Sequence, residues 1–545
     1  MRLLALLRRE SPVSILHIGA MAALSGFANA VLLGVINAAS ASYAGQTSLR
    51  FLALFIGVIG VFIVGQHYIL VKSTLLVQTV LNRIRQRLIE RIRASDLLPL
   101  EQIGRSVIYT TLSVQIVTIS NAAASVVVAL QSAVMVFFSV FYLALLSMTA
   151  FAMTLVIALI AFFIHFREMR RLTEAHQVTL KRESHFFGLL TGLLDGFKEV
   201  KMNRRRSDDL AKDMRASSEA LARLKVATGE RFAKSFVFSQ TVFYILIAAI
   251  VFVLPRFNHA DTPIVTKAAA TILFIIGPLS NMVTALPAFN NADVAVASIE
   301  EIEKALDAAR SKLPAGQTSA DSFENFQSIA LDRVVYQYFD SEKRPLFTLG
   351  PLDLEIKRGE IIFLVGGNGS GKSTLLKILT SLYYPQTGNL MVDGEPLRAE
   401  TYSAYRDLFS PIFVDYHVFE TLYGLRPVDA KRAGDVRRLL EIDQKTDIVD
   451  DRFTTTDLST GQRKRLALLI NMLEDRPIQV LDEWAADQDP IFRRFFYEVL
   501  LRDMKSAGKT VIAATHDDHY FHIADRVLKM ENGMLLPWSG RDAHG

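Results

Sequence analysis

A glycine-rich stretch, GGNGSGKST at residues 366–374, has residue types and spacing that suit the binding of phosphate. It matches G-x-x-x-x-G-K-[ST] and lies between the runs IIFLV and LLKILTSL, which are typical of a strand and a helix. Glycines let backbone N–H groups approach phosphate oxygens, and the helix presents its positive end to the anion. We expect Lys372 to reach the β- and γ-phosphates and Ser373 to ligate Mg²⁺. The predicted phosphate-binding residues are Gly366, Gly367, Asn368, Gly369, Ser370, Gly371, Lys372, Ser373 and Thr374.

A second reactive group lies in VLDEWAADQDP, residues 480–490, where an apolar run ends in Asp482 and Glu483. Paired acids about 110 residues after a phosphate loop suit a nucleotidase, in which Asp482 holds Mg²⁺ through water and Glu483 polarises the attacking water. The sequence therefore predicts ATP and Mg²⁺ as ligands. Trp484, one of only two tryptophans, follows the acids directly. We expect its indole to pack beneath the neighbouring loop as an apolar support.

The elements that must carry these residues occupy only part of the chain. With 545 residues, 51% of them apolar, the chain is too long and too apolar for one soluble domain. The apolar residues gather before about residue 290 in runs that can cross a bilayer, which takes ~20 residues per helix. A signal peptide is the alternative for the first run, but that run is long and further spans follow. We predict six transmembrane helices, at residues 13–37, 51–75, 121–146, 149–166, 235–255 and 264–289.

The distribution of Lys and Arg predicts the orientation in the membrane. The connections after the second and fourth spans are rich in both residues, whereas the other three contain little beyond Arg50 and Arg256. Both termini are therefore expected in the cytoplasm. The formal charge of +5 mostly reflects this topology, and no basic face with interleaved aromatic residues predicts a nucleic-acid partner. The chain has no cysteine, which excludes disulfides and thiol chemistry.

The second half of the chain has the pattern of an α/β domain. A charged helical pattern ends near Lys312, the segment PAGQTSADS has the composition of a linker, and from about Ser328 short β-rich runs alternate with helical stretches. We predict a membrane domain at 1–312, a linker at 313–327 and an ATPase domain at 328–545. The expected fold is an α-helical membrane domain with six transmembrane helices, fused to an α/β P-loop ATPase domain.

LSTGQRKRLALL, residues 458–469, resembles the signature motif of ATP-binding-cassette (ABC) proteins, with Thr460 in place of the first glycine. The resemblance covers the whole second half of the chain. It implies that the signature meets the γ-phosphate of a nucleotide held by another subunit, and that His516 is the switch histidine at the γ-phosphate. It adds six residues to the predicted nucleotide site. Tyr338 is expected to stack on adenine, and Asp489 is expected in the dimer-facing D-loop. The other four lie in the signature: Ser459, Thr460, Gly461 and Gln462.

One position departs from the ABC pattern. Alignment on Arg406 and Phe419 places Val414 where the family has a glutamine that ligates Mg²⁺ and signals to the membrane helices. Asp415 is the adjacent residue and is our candidate for that metal contact.

Two further groups of residues have competing interpretations. HDDHYFH, residues 516–522, resembles a metal cluster, but His516 already has a role by resemblance and the remainder has the pattern of a polar helix. Arg463, Lys464 and Arg465 after the signature are interpreted as a solvated helix face.

The continuation EWAADQDP, together with HDDHYF and the absent glutamine, resembles a narrow bacterial subfamily, the cyclic-peptide exporters. Its members are similar to exporters of pyoverdine precursor, syringomycin-type lipopeptides and a lasso-peptide microcin. The resemblance implies ATP-driven export of a cyclic or modified peptide, or of a siderophore precursor, across the bacterial inner membrane. Six spans and one ATPase domain make half a transporter, so we expect a C2 homodimer with self-complementary contacts.

Two other functions are compatible with the sequence. A lipid flippase or multidrug exporter has the same architecture, and a membrane-anchored regulatory ATPase would move no cargo. Polar residues in the spans, among them Asn29, Asn37 and Gln131, can line a substrate path or join helices by hydrogen bonds. The basic connections are expected to carry motion between the domains through tips at Leu97–Gly104 and Asp195–Lys201.

Overall fold

A computed structural model of the chain describes residues 2–10, 12–41, 49–258, 262–310, 323, 325–340, 342 and 344–538. These residues form two compact units. The first unit holds the chain up to Arg93 and from Ile103 to Asp307. The second unit holds Ala94–Gln102 and the chain from Ala308 onward. Most of the predicted linker, residues 313–322 and 324, lies outside the described residues.

The described elements before residue 310 are helices. Most of α4 belongs to the second unit and the others belong to the first. Two π-helical turns, Thr111–Gln115 and Ala249–Val253, join α5 to α6 and α9 to α10. The helices are α1 (Arg2–Glu10), α2 (Pro12–Ala41), α3 (Leu49–Arg93), α4 (Leu97–Ile103), α5 (Arg105–Thr110), α6 (Ile116–Leu146), α7 (Met148–Asp195), α8 (Phe197–Met202), α9 (Arg204–Ala248), α10 (Leu254–Asn258) and α11 (Thr262–Ala308).

Five helical stretches among the described residues are long and apolar enough to cross a membrane. They overlap the first predicted span and contain the second, third, fifth and sixth, which confirms an α-helical membrane domain. The fourth predicted span, 149–166, lies in α7, where the apolar helical stretch of described residues, Met148–Ala161, is shorter than a full span. The five stretches are Leu16–Ala39, Leu49–Arg93, Arg105–Leu146, Arg204–Arg256 and Ile264–Ala308.

Several polar side chains of the membrane unit join helices to one another. Gln131 of α6 donates a hydrogen bond to Gln66 of α3, and Asn37 of α2 donates to the Tyr142 hydroxyl over 3.4 Å. Asn29 differs, because its buried Nδ2 has no hydrogen-bond partner among the described residues. Part of the polar set therefore serves helix packing, as polar groups within membranes often do.

The described part of the second unit contains three sheets. The largest has the strand order β12-β11-β3-β10-β9-β6, and its neighbours are parallel except for the β11–β12 pair. A four-stranded sheet has the order β2-β1-β4-β5, and β7 pairs with β8. The strands are β1 (Ser328–Phe339), β2 (Pro345–Lys357), β3 (Ile361–Val365), β4 (Thr387–Val392), β5 (Glu395–Pro396), β6 (Phe409–Ile412), β7 (Ile448–Val449), β8 (Arg452–Phe453), β9 (Ile478–Asp482), β10 (Thr510–Ala514), β11 (Arg526–Glu531) and β12 (Met534–Pro537).

Three central strands explain where reactive groups can gather. All residues of β3, β9 and β10 are buried, as expected for parallel strands that are covered on both faces. Their carboxyl ends meet at one edge of the sheet, where ligands bind in such folds.

The helices of this unit are α12 (Lys372–Leu379), α13 (Tyr402–Arg406), α14 (Ala430–Leu439), α15 (Thr460–Glu474), α16 (Pro490–Phe495) and α17 (Leu501–Ser506). Short 3₁₀ turns lie at Ala399–Thr401, Trp484–Asp487 and Asp518–Ile523, and a π turn lies at Phe496–Leu500.

Helix α4 packs within the second unit although it precedes most of the membrane helices in sequence. Leu97 and Leu98 pack against the apolar core of this unit, and the Asp96 amide donates to the Ala309 carbonyl over 2.9 Å. Glu101 accepts hydrogen bonds from Lys377 Nζ at 3.1 Å and from the Tyr383 hydroxyl at 2.5 Å. Residues 97–102 of the first expected tip therefore belong to this unit.

Candidate nucleotide-binding site

The predicted phosphate loop lies between β3 and α12, as the sequence indicated. Gly366 and Gly371 have φ angles of 147° and 108°, a region that side chains rarely adopt. A Cβ atom at Gly366 would lie 2.2 Å from the Met530 carbonyl oxygen, and one at Gly371 would lie 2.7 Å from Leu349 Cδ1. Glycine at both positions thus permits the backbone to fold closely against β11 and β2.

Lys372, the first residue of α12, has its ammonium group inside this loop. Its Nζ donates to the carbonyl oxygens of Gly366 at 2.7 Å and Gly367 at 3.3 Å. The same atom lies 3.7 Å from Glu483 Oε1 and 3.4 Å from His516 Nε2. The structure therefore places the loop lysine, the second acid and the histidine side by side.

Asp482 ends β9 as a buried carboxylate, 2% exposed. It accepts a hydrogen bond from the Ser373 hydroxyl, while its Oδ1 has no hydrogen-bond partner among the described residues. Burial raises the pKa of Asp482, and the neighbouring Glu483 and Asp415 carboxylates raise it further, whereas the Ser373 hydrogen bond and the Lys372 charge oppose this. An unpaired buried carboxylate oxygen beside a hydroxyl suits a hard divalent cation, so these residues fit Mg²⁺.

Glu483 occupies a conformation that is uncommon for a residue with a side chain. Its φ is 51°, and its amide donates to the Ala514 carbonyl of β10 over 3.0 Å. Its Oε1 lies 3.3 Å from His516 Nε2. A left-handed backbone at a functional site is typically held by its surroundings, and here it directs the carboxylate toward Lys372 and His516.

An open pocket with a volume of about 470 Å³ lies in front of the loop. Tyr338 lines it, and the Tyr338 hydroxyl is 3.3 Å from Thr374 Oγ1. Phe347, which the sequence analysis did not identify, is the cross-strand partner of Tyr338 in the β1–β2 pairing. The pairing puts a second aromatic ring at the pocket, and an aromatic residue on the adjacent strand was the available sequence signal. The lining residues are Tyr338, Phe347, Asn368, Gly369, Ser370, Gly371, Lys372, Ser373, Thr374 and Glu483.

The signature motif begins α15, away from the lining of this pocket. Ser459 is the N-cap, and it forms a reciprocal capping box with Gln462 through backbone contacts of 3.4 Å and 3.2 Å. A Cβ at Gly461 would lie 2.7 Å from the Asp487 carbonyl oxygen, so this glycine permits contact with the turn after Glu483. The described residues that line the pocket do not include Ser459, Thr460, Gly461, Gln462 or Asp489.

The interpretation of the residues after the signature as a solvated face is wrong for two of the three. Arg463 is exposed, but Lys464 is 4% and Arg465 is 8% exposed. Arg465 Nη2 pairs with Asp489 Oδ2 at 2.8 Å, and its guanidinium lies 3.5 Å from the ring centroid of Phe492. The side of α15 that carries Lys464 and Arg465 is covered by the segment from Glu483 to Phe492, a tertiary contact that the local pattern does not reveal.

Trp484 packs as an apolar support, as expected. It is 1% exposed, its ring centroid lies 4.5 Å from that of Phe496, and its Nε1 donates to the Lys464 carbonyl over 2.9 Å. The indole is not among the described residues that line the pocket.

The loop after β6 contains the departure from the ABC pattern. Val414 is 54% exposed, and the exposed Asp415 is near enough to Asp482 to raise the pKa of that carboxyl. The next residue, Tyr416, donates from its hydroxyl to the Thr460 carbonyl over 3.4 Å.

Within HDDHYFH, His516 is the residue that contacts the acids of the site, since its Nε2 lies 3.3 Å from Glu483 Oε1. His522 contacts its own turn instead, with its Nδ1 at 3.0 Å from the His519 carbonyl.

A phosphate loop, a buried carboxylate and an adjacent glutamate at the ends of parallel strands, in a chain with several apolar helices, define a membrane-bound P-loop ATPase. A model of the ABC transporter family matches residues 349–486. The ATP-binding protein SyrD of Pseudomonas syringae pv. syringae is 33% identical over 528 residues, which cover 94% of this chain and 92% of SyrD. The chain therefore belongs to the ABC transporters, as an ATP hydrolase coupled to transport.

Two other relatives match over about a third of each chain. An ATP-dependent lipid A-core flippase of Ralstonia nicotianae is 32% identical over 203 residues, 34% of either chain. The probable syringafactin export ATP-binding/permease protein SyfD of Pseudomonas syringae pv. syringae strain B728a is 28% identical over 216 residues, 37% of this chain and 33% of SyfD. The matches to SyrD and SyfD confirm the resemblance to the bacterial cyclic-peptide exporter subfamily. The protein is a multi-pass membrane protein with a cytoplasmic ATPase domain.

The predicted role of Glu483 can be tested with Glu483→Gln. We expect ATP binding to persist and turnover to stop, since glutamine keeps the side-chain shape but accepts no proton. Loss of a well-placed proton acceptor lowers rates by about 10²–10⁴-fold. Steady-state ATPase assays and equilibrium ATP binding on purified protein measure the two effects. Asp518→Asn, at an exposed acid close to His516 in sequence, is the matched control and should remain active. A Glu483→Gln protein that turns over within a few-fold of wild type would remove Glu483 from this role.

The candidate metal contact of Asp415 makes a separate prediction. Asp415→Ala should raise the Mg²⁺ concentration that gives half-maximal ATPase activity by about tenfold or more, as loss of groups that support a metal site commonly does. The control is Glu420→Ala, which removes an exposed acid of the same loop that pairs with Arg452. An Mg²⁺ titration that is identical for wild type and Asp415→Ala would leave Asp415 as an ordinary loop residue.

Proposed function

We propose that the protein is the subunit of a homodimeric exporter that uses ATP to move a cyclic or modified peptide, or a siderophore precursor, from the cytoplasm across the bacterial inner membrane. The observation that carries this proposal is the similarity to SyrD along nearly the whole chain. The match to a probable syringafactin export protein supports a peptide as cargo. Both termini lie in the cytoplasm in this arrangement, as the Lys and Arg distribution predicts.

In the proposed nucleotide site, Tyr338 and Phe347 face the adenine base and the loop amides with Lys372 hold the phosphates. Ser373 and Asp482 hold Mg²⁺, which supplies charge neutralisation at the phosphate oxygens when it is bound. Glu483 accepts a proton from the attacking water. His516, 3.3 Å from Glu483 Oε1, lies where it can contact the γ-phosphate and orient that carboxylate.

The homodimer completes the site. One chain supplies one phosphate loop and one signature, and the signature residues do not line the described pocket of their own chain. A C2 arrangement brings the Ser459 end of α15 from a second copy to each pocket, which gives two equivalent sites. Binding of ATP would then draw the two ATPase domains together, and hydrolysis would release them.

The cargo path is proposed to involve polar groups that helix packing leaves unused. Asn37, Gln66 and Gln131 already hydrogen-bond to other helices. The Asn29 amide nitrogen is buried with no hydrogen-bond partner among the described residues, and an unpaired polar group inside a membrane protein is a candidate for substrate contact. A peptide would use such groups, whereas the acyl chains of a lipid can stay in the bilayer.

Reconstituted protein tests the cargo. Purified protein in liposomes, with the ATPase domains facing outward, should hydrolyse ATP faster with a cognate cyclic peptide, and the peptide should accumulate in the lumen. Liposomes with the Glu483→Gln variant control for passive entry. If a broad panel of cyclic peptides has no effect while lipids or hydrophobic drugs stimulate ATPase and move, the flippase or multidrug function replaces this proposal. If no cargo stimulates turnover, the function of a regulatory ATPase without cargo replaces this proposal.

The contacts of α4 predict that Glu101 is needed to couple cargo binding to ATP hydrolysis. Glu101 accepts hydrogen bonds from Lys377 of α12 and from Tyr383, and burial together with the Glu101 hydrogen bond raises the pKa of Tyr383, which keeps its hydroxyl a donor. Glu101→Ala should lower the ratio of cargo-stimulated to basal ATPase, because changes along a coupling path cost about 0.5–2 kcal/mol, or roughly 2- to 30-fold. The neighbouring exposed Gln102 offers the control Gln102→Ala. An unchanged ratio in Glu101→Ala would show that coupling does not pass through Glu101.

A further inference from the structure

Lys464 is a buried cation to which the proposed reaction gives no role. It is 4% exposed, on α15 just after the signature. Its Nζ donates to the Glu483 carbonyl oxygen over 2.6 Å and pairs with Asp487 Oδ2 at 2.7 Å. Because an ammonium group is costly to remove from water unless partners replace the water, its burial depends on these two contacts. Both partners belong to the turn that starts at the proposed catalytic glutamate.

The contact is with the backbone of Glu483, whose conformation needs support. Glu483 has φ 51° and ψ 35°, a left-handed conformation that costs free energy for a residue other than glycine. Its amide is held by the Ala514 carbonyl of β10 at 3.0 Å, and its carbonyl is held by Lys464. The two bonds fix the peptide groups on both sides of the Glu483 Cα atom. The direction of the Glu483 side chain therefore depends on Lys464.

Trp484 fixes the other end of the same lysine. The indole Nε1 donates to the Lys464 carbonyl at 2.9 Å, and the ring is held against Phe496 at a centroid distance of 4.5 Å. The Lys464 side chain donates a hydrogen bond to the Glu483 carbonyl, and the Lys464 carbonyl accepts one from the Trp484 indole. The pair of reciprocal bonds forms a closed ring between Lys464 of α15 and the turn after β9. The ring gives a structural reason for the indole beside the paired acids.

We propose that Lys464 is a positioning residue for Glu483, which it links to the helix that begins with the signature. This inference rests on the proposed role of Glu483. In the homodimer, the signature and the Glu483 of one chain serve opposite ATP sites. Lys464 thus ties the catalytic carboxylate at one site to the helix that contacts the nucleotide at the other.

The test compares Lys464→Met with Lys464→Arg in the full-length purified protein. Methionine fills a similar volume without a donor, so kcat should fall on the order of 10²-fold, the cost of a misplaced catalytic group, while the KM for ATP and the affinity for ATP stay within a few-fold of wild type. Arginine keeps donors to the Glu483 carbonyl and should recover part of kcat. Arg463→Met removes an exposed cation from the adjacent position of α15 and should match wild type. If Lys464→Met does not fold, Lys464→Leu, which also lacks a donor, takes its place with the same expectation.

A double-mutant cycle separates positioning from general support of the fold. If Lys464 acts through Glu483, the residual turnover of Lys464→Met/Glu483→Gln should equal that of Glu483→Gln alone, because residues that act as a unit are not additive. Additive losses, a fall in ATP affinity that parallels kcat, or a Lys464→Met protein as active as Arg463→Met would each overturn the inference. Full turnover of Glu483→Gln would instead refute the proposed role of Glu483. The two failures are therefore distinguishable.

Discussion

The charge balance around Asp482 is the constraint on which the nucleotide site depends. A carboxylate buried at the end of β9 has a raised pKa, so its ionised form needs compensating positive charge. Within the chain, the Lys372 charge and a hydrogen bond from the Ser373 hydroxyl provide part of this compensation, and both residues lie in the first turn of α12. Its Oδ1, which has no hydrogen-bond partner among the residues that the structure describes, is available to bind a cation. The glycines of the loop, the placement of α12 and the burial of β9 all serve to bring these opposite charges together.

A second constraint is that α15 packs against the turns that carry the acids. Lys464 and Arg465 hold the segment from Glu483 to Asp489 by hydrogen bonds and ion pairs, and Gly461 leaves space for the Asp487 carbonyl. Tyr416, from the loop after β6, reaches the first residue of the same helix. The start of α15, the turn from Glu483 to Asp489 and the loop after β6 are therefore parts of one packed cluster.

The sequence predicted the features that depend on local pattern and missed those that depend on packing. The strand, loop and helix around 366–374 were predictable because spacing and apolar runs define them locally. Burial of Lys464 and Arg465 was not, because an isolated helix pattern cannot show which later segment covers a charged face. Phe347 was missed because its role arises from the register of β1 with β2. The end of the apolar stretch in α7 was also hard to predict. The helix continues without a break to Asp195, so no local signal marks the residue at which its apolar part ends.

The nucleotide site is connected to α4 at two points. Helix α12 offers a direct connection, because Lys372 at its start belongs to the phosphate loop and Lys377 further along it pairs with Glu101 of α4. Tyr383, which also donates to Glu101, stacks on Tyr336 at 5.4 Å, and the Tyr336 ring lies 5.2 Å edge-on from Tyr338 at the pocket. Contacts from both the phosphate end and the base end of the pocket therefore lead to the Glu101 carboxylate. A rigid helix and a set of touching rings transmit small displacements because packed interiors resist compression. Through α12 and these rings, a displacement at either end of the pocket would reach Glu101 of α4, within the second unit.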